Sequence, residues 1–354
     1  MIIGIFSKFD MAGGSEFRCT ELANGIAKYT EHTVFLLIEK RLPSKLTQFI
    51  HEKVEVVENC FTTPEYFYKS DHILVINTDS KEFSRPDYWS GKTHRHSFSL
   101  DMEKLKDKKM YFLYNFIVSP SRHLYEFNKY GTDINIITTN RKFFNEITKQ
   151  DRYEKVRTFP RYTLESPIDP DLLTIRVREP KKPICFGMHS KRLNNKWNDE
   201  LINLIKLVNE KYTPEQIQFR FMGTKRSLIE KMNKFENVTC LKEDEETVKD
   251  FIDQLDVFLF FPDWKREEPW ARVIAEAMVA GCPVIALNKG GTEDQVLNYN
   301  NGFLCKKLKD YHQNIIYLME HPEVITTMSQ NSIRISKDFY SESVNKKLMN
   351  ILSK

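Results

Sequence analysis

The chain has 354 residues, with 53 Lys+Arg against 49 Asp+Glu and a formal net charge of +4. That length exceeds one ordinary core and predicts two domains of about 150–180 residues each. A composition of 41% hydrophobic and 29% charged residues excludes a disordered or fibrous chain, and no apolar run approaches the roughly 20 residues of a membrane span, so no transmembrane segment is expected.

The charge excess lies in the first half: residues 1–182 hold 29 Lys+Arg against 25 Asp+Glu, and residues 183–354 hold 24 against 24. An excess of this size fits a solvated surface as well as an anionic partner. The six cysteines, Cys19, Cys60, Cys185, Cys240, Cys282 and Cys305, form no C-x-x-C pair. Most lie in apolar stretches, which predicts buried free thiols and a reducing, cytoplasmic compartment.

In chain order, Ile2–Ser7 reads as a buried first strand; no basic flank precedes it, as one would in a signal peptide. A glycine turn, Ala12-Gly13-Gly14-Ser15-Glu16, leads into a helix with Phe17, Leu22, Ile26 and Ala27 on its apolar face. Thr33–Ile38 is a second strand, and strand, turn, helix, strand is how a parallel βαβ unit begins. Further strands are expected at Val54–Val57, His72–Asn77, Met110–Phe116 and Ile134–Thr138. The span from Thr78 to Lys109 lacks periodicity and reads as a long functional loop or irregular insertion. Helix-start chemistry returns at Ser119-Pro120-Ser121.

Pro160, Pro167, Pro170, Pro180 and Pro183 crowd the stretch from Arg157 to Pro183, which predicts an interdomain linker. Beyond it the alternation restarts. Strands are expected at Ile184–Met188, Phe219–Gly223, Val238–Leu241, Val257–Phe261 and Pro283–Leu287, with helices at Glu200–Val208, Ser227–Asn233, Thr247–Leu255 and Ala271–Ala280. Two more helices fall near Tyr311–Met319 and Ser341–Leu352. The class is α/β, with domains at 1–165 and 175–337. Two such halves place a cleft between two sets of strand ends, where ligands of parallel sheets bind.

The chemistry concentrates in three places. In the first, Glu268-Pro269-Trp270-Ala271-Arg272 leads into a helix that carries Glu276 and ends at Gly281-Cys282-Pro283-Val284, and Gly290-Gly291-Thr292-Glu293 follows. A helix N-terminus offers unpaired N–H groups to a diphosphate, and carboxylates accept hydrogen bonds from sugar or ribose hydroxyls. An isolated pair of glutamates would instead be solvated surface charge; the glycine turns that follow argue for a site. The second is His189-Ser190-Lys191-Arg192-Leu193-Asn194-Asn195-Lys196-Trp197, just after a strand. Its cations could stabilise a departing diphosphate, or simply be a basic loop. The third is Gly13-Gly14-Ser15-Glu16, where glycines permit close backbone approach but any tight strand-to-helix turn would use them.

Taken in chain order, the three segments resemble the GT-B-fold glycosyltransferases of the family 4-like group (glycosyl transferases group 1). The signature has two glutamates with seven residues between them, a small-residue helix end, Gly-x-Pro-Val, and a later Gly-Gly-x-Glu turn. Pro269-Trp270-Ala271 stands where the family usually has Phe-Gly. The resemblance implies two Rossmann-like domains facing across a cleft, with the C-terminal helix, 338–354, packed back on the first. It implies that Glu268 contacts the donor sugar and Glu276 the nucleotide ribose, with Gly290, Gly291 and Thr292 near sugar and phosphates. Lys196, Lys191 and Arg192 would form the phosphate clamp; Lys191 has the family's spacing to Lys196, and Arg192 is one residue closer. Gly13 and Gly14 would match the N-terminal glycine loop. A histidine often lies in the family's cleft on the N-terminal side; His94, in Thr93-His94-Arg95-His96 of the irregular loop, is the candidate here, against an exposed, non-catalytic reading. His189 is another by its place beside the clamp.

The implied activity is transfer of a sugar from a nucleotide-sugar such as a UDP-, GDP- or ADP-sugar to an acceptor hydroxyl, with retention, no metal and no cofactor. The acceptor would be a carbohydrate, a lipid-linked glycan or nucleic acid. Epimerases and phosphorylases share the two-domain plan, but the two-glutamate signature with its glycine turns disfavours both. A GT-B-fold binding module without transferase activity is a second reading, against which Glu268, Glu276 and Lys196 speak. A glycosyltransferase acting on modified DNA bases is a third, although no basic stripe interleaved with aromatics is present.

Overall fold

The apolar runs of the inner strands, such as His72–Ile76, Val257–Phe260 and Val284–Leu287, are buried along their whole length, as parallel strands with helices on both faces are. The computed structural model describes residues 1–7, 9, 14–76, 100–114, 131–140, 142, 145 and 159–354. They divide into two units, Met1–Pro167 with Ser341–Lys354, and Ile168–Tyr340.

The first unit holds β1 (Ile2–Ser7), β2 (Thr33–Ile38), β3 (Val54–Val57), β4 (His72–Ile76), β5 (Lys109–Tyr114), β6 (Asp133–Thr138) and β7 (Arg161–Thr163). Their order is β3-β2-β1-β4-β5-β6-β7, and all pairs are parallel. The second unit holds β8 (Ile184–His189), β9 (Ile217–Met222), β10 (Val238–Leu241), β11 (Val257–Phe260), β12 (Val284–Leu287) and β13 (Gly302–Cys305). Their order is β10-β9-β8-β11-β12-β13, again all parallel. In each sheet the first strand lies inside and the order reverses beside it, between β1 and β4 and between β8 and β11. This is the Rossmann-like arrangement, whose ligands sit outside the carboxyl strand ends at that reversal.

The helices follow from their apolar spacing. Leu201–Asn209 buries Leu201, Leu204, Ile205 and Val208, one stripe of a 3.6-residue period. Arg272–Val279 buries everything from Ile274 to Val279, so it runs through the core and takes Glu276 in with it. Ser341–Leu352 belongs to the first unit, where Val344, Leu348, Ile351 and Leu352 join the cluster around Leu22 and Ile26 of the Gly14–Tyr29 helix.

Three findings differ from the sequence reading. The chain passes from one unit to the other within the proline-rich stretch, at Pro167–Ile168, as expected of an interdomain linker, but the stretch is structured: β7 lies inside it and pairs with β6, and Ile168 is buried, its N–H bonded to the Phe339 carbonyl at 2.8 Å. A three-residue edge strand is too short for its alternation to show. β13 and the Pro322–Ser336 helix also escape the sequence reading. Leu100–Lys108, within the presumed irregular span, contains the 3-10 turn Met102–Lys104, and Leu100 and Leu105 are buried in the core. Asn77, the rest of that span to 99, residues 115–116 and Ser119-Pro120-Ser121 lie outside the described residues. All six cysteines are free thiols, four of them buried.

Candidate functional site

Three loops leave neighbouring carboxyl strand ends at the second sheet's reversal: 190–200 after β8, 261–271 after β11 and 288–301 after β12. They carry Lys191, Arg192, Lys196, Glu268, Gly290, Gly291 and Thr292, and the second of them delivers the helix that bears Glu276.

Glu268 is 5% exposed. Lys196 Nζ forms an ion pair with its Oε1. Arg266 donates to the same oxygen from Nε at 2.9 Å and from Nη2 at 2.7 Å. Among the described residues Oε2 accepts no hydrogen bond. Burial lowers the pKa of the Lys196 amine, and Glu268 opposes that shift. The sequence reading passes over Arg266, because an irregular segment has no periodicity to set its direction.

The glycine turn is pressed onto the Glu268 backbone. Glu268 and Gly290 form a parallel bridge, and the Gly291 N–H donates to the Glu268 carbonyl at 2.7 Å. Gly290 has φ +70°, and a Cβ there would lie 2.4 Å from that carbonyl oxygen; only glycine fits. The Thr292 hydroxyl is buried and turned into its own loop, donating to the carbonyls of Leu287 at 2.6 Å and Lys289 at 3.1 Å. Gln295, absent from the sequence candidates, locks the loop to the helix start: its Oε1 accepts from Ala271 N–H and its Nε2 donates to Ala271 C=O, each at 3.0 Å.

Glu276 is also buried, and burial raises its carboxyl pKa against the pull of Arg272. Arg272 Nε, one turn earlier, donates to Glu276 Oε1 at 2.7 Å. Glu276 Oε2 lies 3.5 Å from Nε2 of His189, the last residue of β8. Burial first, and Arg272 second, push the His189 imidazole down to about 4, so it is neutral near pH 7.

The clamp loop is pinned from beneath. Trp197 is fully buried and its Nε1 donates to the Lys191 carbonyl at 3.1 Å, while the Arg192 N–H donates to Glu243 at 3.0 Å. Gly223, at φ +78°, lies against the loop's other side, where a Cβ would meet the Ser190 carbonyl oxygen at 1.9 Å.

The structure therefore brings Lys196, Glu268, Gly290 and Gly291 into direct contact, and ties Thr292 and Glu276 to them through Gln295 and the helix. Lys191 and Arg192 share the Lys196 loop. Gly14 opens the first helix of the other unit, with nothing within 4 Å of an added Cβ. Gly13 and His94 lie outside the described residues. Among the described residues no group of three or more His, Cys, Asp or Glu could hold a metal ion, and no helix is long and apolar enough to cross a membrane. Two carboxylates set among cations at strand ends suit a polyol joined to a diphosphate.

The family model for glycosyl transferases group 1 matches residues 175–334. Over 73 residues the chain is 33% identical to trehalose synthase of Pyrococcus horikoshii, a stretch that covers 20% of this chain and 18% of that enzyme. Among solved structures, Anabaena HepE in complex with UDP and glucose is similar with a TM-score of 0.70 at 15% identity, over 100% of this chain and 99% of that one. Sucrose-phosphate synthase of Thermosynechococcus elongatus is similar with a TM-score of 0.65 at 15% identity, over 99% and 98%. At these identities the likeness is one of fold, and the fold is GT-B.

Proposed function

Since residues 175–334 form a glycosyl transferases group 1 domain within a GT-B fold, we propose that this glycosyltransferase moves a sugar from a nucleotide-sugar to an acceptor hydroxyl, with retention and without a metal. One observation carries the reading: Glu268 is held between Lys196, Arg266 and the Gly290–Gly291 turn with one carboxylate oxygen left to accept. In this reading Glu276 takes the ribose hydroxyls and Glu268 a hydroxyl of the donor sugar. Lys196, with Lys191 and Arg192, stabilises the charge that grows on the diphosphate. Gly290, Gly291 and Thr292 let the backbone approach the sugar, Gly13 and Gly14 also bind the donor, and His94 is the candidate catalytic histidine.

In the step itself, the bond between the anomeric carbon and the distal phosphate oxygen breaks, and its electron pair stays on that oxygen. The acceptor oxygen bonds the anomeric carbon on the same face, and the acceptor proton passes to the departing phosphate oxygen. No protein nucleophile is needed. The acceptor class is a carbohydrate or lipid-linked glycan in the cytoplasm. A salt-sensitive affinity for DNA would point instead to a nucleic-acid acceptor.

The test is thermal-shift screening against UDP, GDP, ADP and CMP, each with and without its common sugars. UDP and UDP-glucose come first because Anabaena HepE structures hold them. A ligand at a hundred times its Kd stabilises the folded state by about 2.7 kcal/mol. One nucleotide should raise the melting temperature, and Glu276→Ala should abolish most of that rise. Glu268→Ala should keep nucleotide binding and lose turnover. No shift with any of the four, or donor binding and transfer unchanged in both variants, would overturn the assignment.

A further inference from the structure

Lys196 faces two demands in the site just described: it is paired with Glu268 here, and the donor's diphosphate would need it. We propose that Arg266 is a positioning residue that lets Lys196 change partners, by keeping Glu268 Oε1 paired when Lys196 turns to the diphosphate. The inference rests on the donor-site reading above.

The geometry supports it in three ways. Both cations use the same oxygen, Oε1, and Arg266 alone supplies two N–H bonds to it, at 2.9 and 2.7 Å. Loss of one cation therefore leaves the carboxylate paired and still oriented, with Oε2 free for a sugar hydroxyl. A buried carboxylate stripped of its only cation would be strongly destabilised, and a lysine that was that only cation would be held back.

Second, the two side chains differ in freedom. Lysine is a point charge on a flexible stem with rotatable donors, whereas the guanidinium is a rigid fork. Arg266 also sits on a fixed turn. Its N–H donates to the Asp263 carbonyl at 2.9 Å, and Trp264 packs edge-on against Phe261, with ring centroids 5.2 Å apart. Lys289 Nζ donates to the Trp264 carbonyl at 3.1 Å. Third, the surroundings of Lys196 disfavour its charge: burial lowers its pKa, and Arg266 and Lys191 add to that shift while Glu268 opposes it. A diphosphate would offer it a stronger counter-charge.

A double-mutant cycle read by calorimetric titration tests this. UDP, GDP and ADP are titrated in turn into the wild-type chain, Arg266→Gln, Glu268→Gln and the double variant. Arg266→Gln should weaken binding of the preferred nucleoside diphosphate by about tenfold, but by less than about twofold once Glu268→Gln has removed the carboxylate that competes for Lys196. Arg266→Lys should restore most of the affinity, and Arg266→Met replaces Arg266→Gln in the cycle if that variant does not fold. An equal loss in both backgrounds would mean that Arg266 binds phosphate itself or only supports the loop, and would overturn the proposal; so would no loss in the wild-type background. Failure of the donor reading is separate: the wild-type chain would then bind none of the three, and this inference would fall with it.

Discussion

His189 shows how burial sets chemistry at a single residue. It lies edge-on to Phe251 and Phe258, with ring centroids 5.8 and 5.6 Å away, and its Nε2 has no hydrogen-bond partner among the described residues. Among the described residues Arg272, Glu276 and Asp244 are charged groups that act on it or lie beside it; Arg272 reinforces the downward shift to about 4, and Asp244 opposes it. The unfolded chain takes up this proton below about pH 6.5, but the folded protein excludes it until about pH 4. Stability contributed by the neutral imidazole is therefore full near pH 7 and is lost as pH falls, by about 2 kcal/mol between pH 7 and 5. Glu276 acts in the opposite sense. Its raised carboxyl pKa makes the folded state bind that proton more tightly, so falling pH relieves a penalty. Urea unfolding at pH 7, 6 and 5 should show a shallower loss of stability in His189→Gln than in the wild-type chain. Parallel curves would mean that His189 titrates normally in the fold.

At the scale of elements, the site depends on two loops that share a backbone contact. Gly290 at φ +70° brings the β12 loop against Glu268, and a methyl group would collide with the carbonyl that Gly291 uses. Gly290→Ala should cost about 1–3 kcal/mol in unfolding experiments through strain at a left-handed position. It should also lower turnover with less effect on nucleotide affinity, because Glu268 moves while the Glu276 helix keeps its packing. Stability and kcat both at wild-type levels would show that the loop simply moves aside. Much of this was legible in the sequence. The placement of Glu268 before a helix and Glu276 within it follows from apolar spacing, and the strands β8, β11 and β12 follow from their apolar runs. The contacts were not legible. Arg266 lies two residues from Glu268 in an irregular turn, and Gln295 caps a helix 24 residues earlier in sequence. Neither periodicity nor local spacing encodes a bond that tertiary folding alone creates. The Pro322–Ser336 helix escaped for a related reason: its polar residues Ser329, Ser332 and Ser336 are buried, bonded to the carbonyls of Gly281, Asn301 and Met278, so its inward face does not read as apolar.

At the scale of the whole molecule, the chain finishes its first unit last. After the second unit ends at Tyr340, Ser341–Leu352 completes the core formed by the Gly14–Tyr29 helix. The fit is close there: a Cβ on Gly25 would make ordinary contact, at 3.6 Å, with Asn345 Cβ and with the Ser341 carbonyl oxygen. Lys347 adds an ion pair to Glu165 at 3.1 Å, a partly exposed contact of small weight. The apolar side chains carry the attachment. Val344, Leu348, Ile351 and Leu352 are buried, and burying each contributes roughly 1.5–3 kcal/mol. Their sum rivals the roughly 5–15 kcal/mol by which a domain is stable, so the first unit should depend on its last helix. Leu348→Ala should destabilise that unit by about 3 kcal/mol, which lowers its melting temperature by roughly 6–12 °C for a unit of this size. The second unit contains none of these side chains. In scanning calorimetry the variant should show one transition displaced downward and one in place, and only the latter should rise when the bound nucleotide is added. If both transitions moved together, the two units would be one cooperative body, and the last helix would stabilise the donor site as much as the core in which it lies.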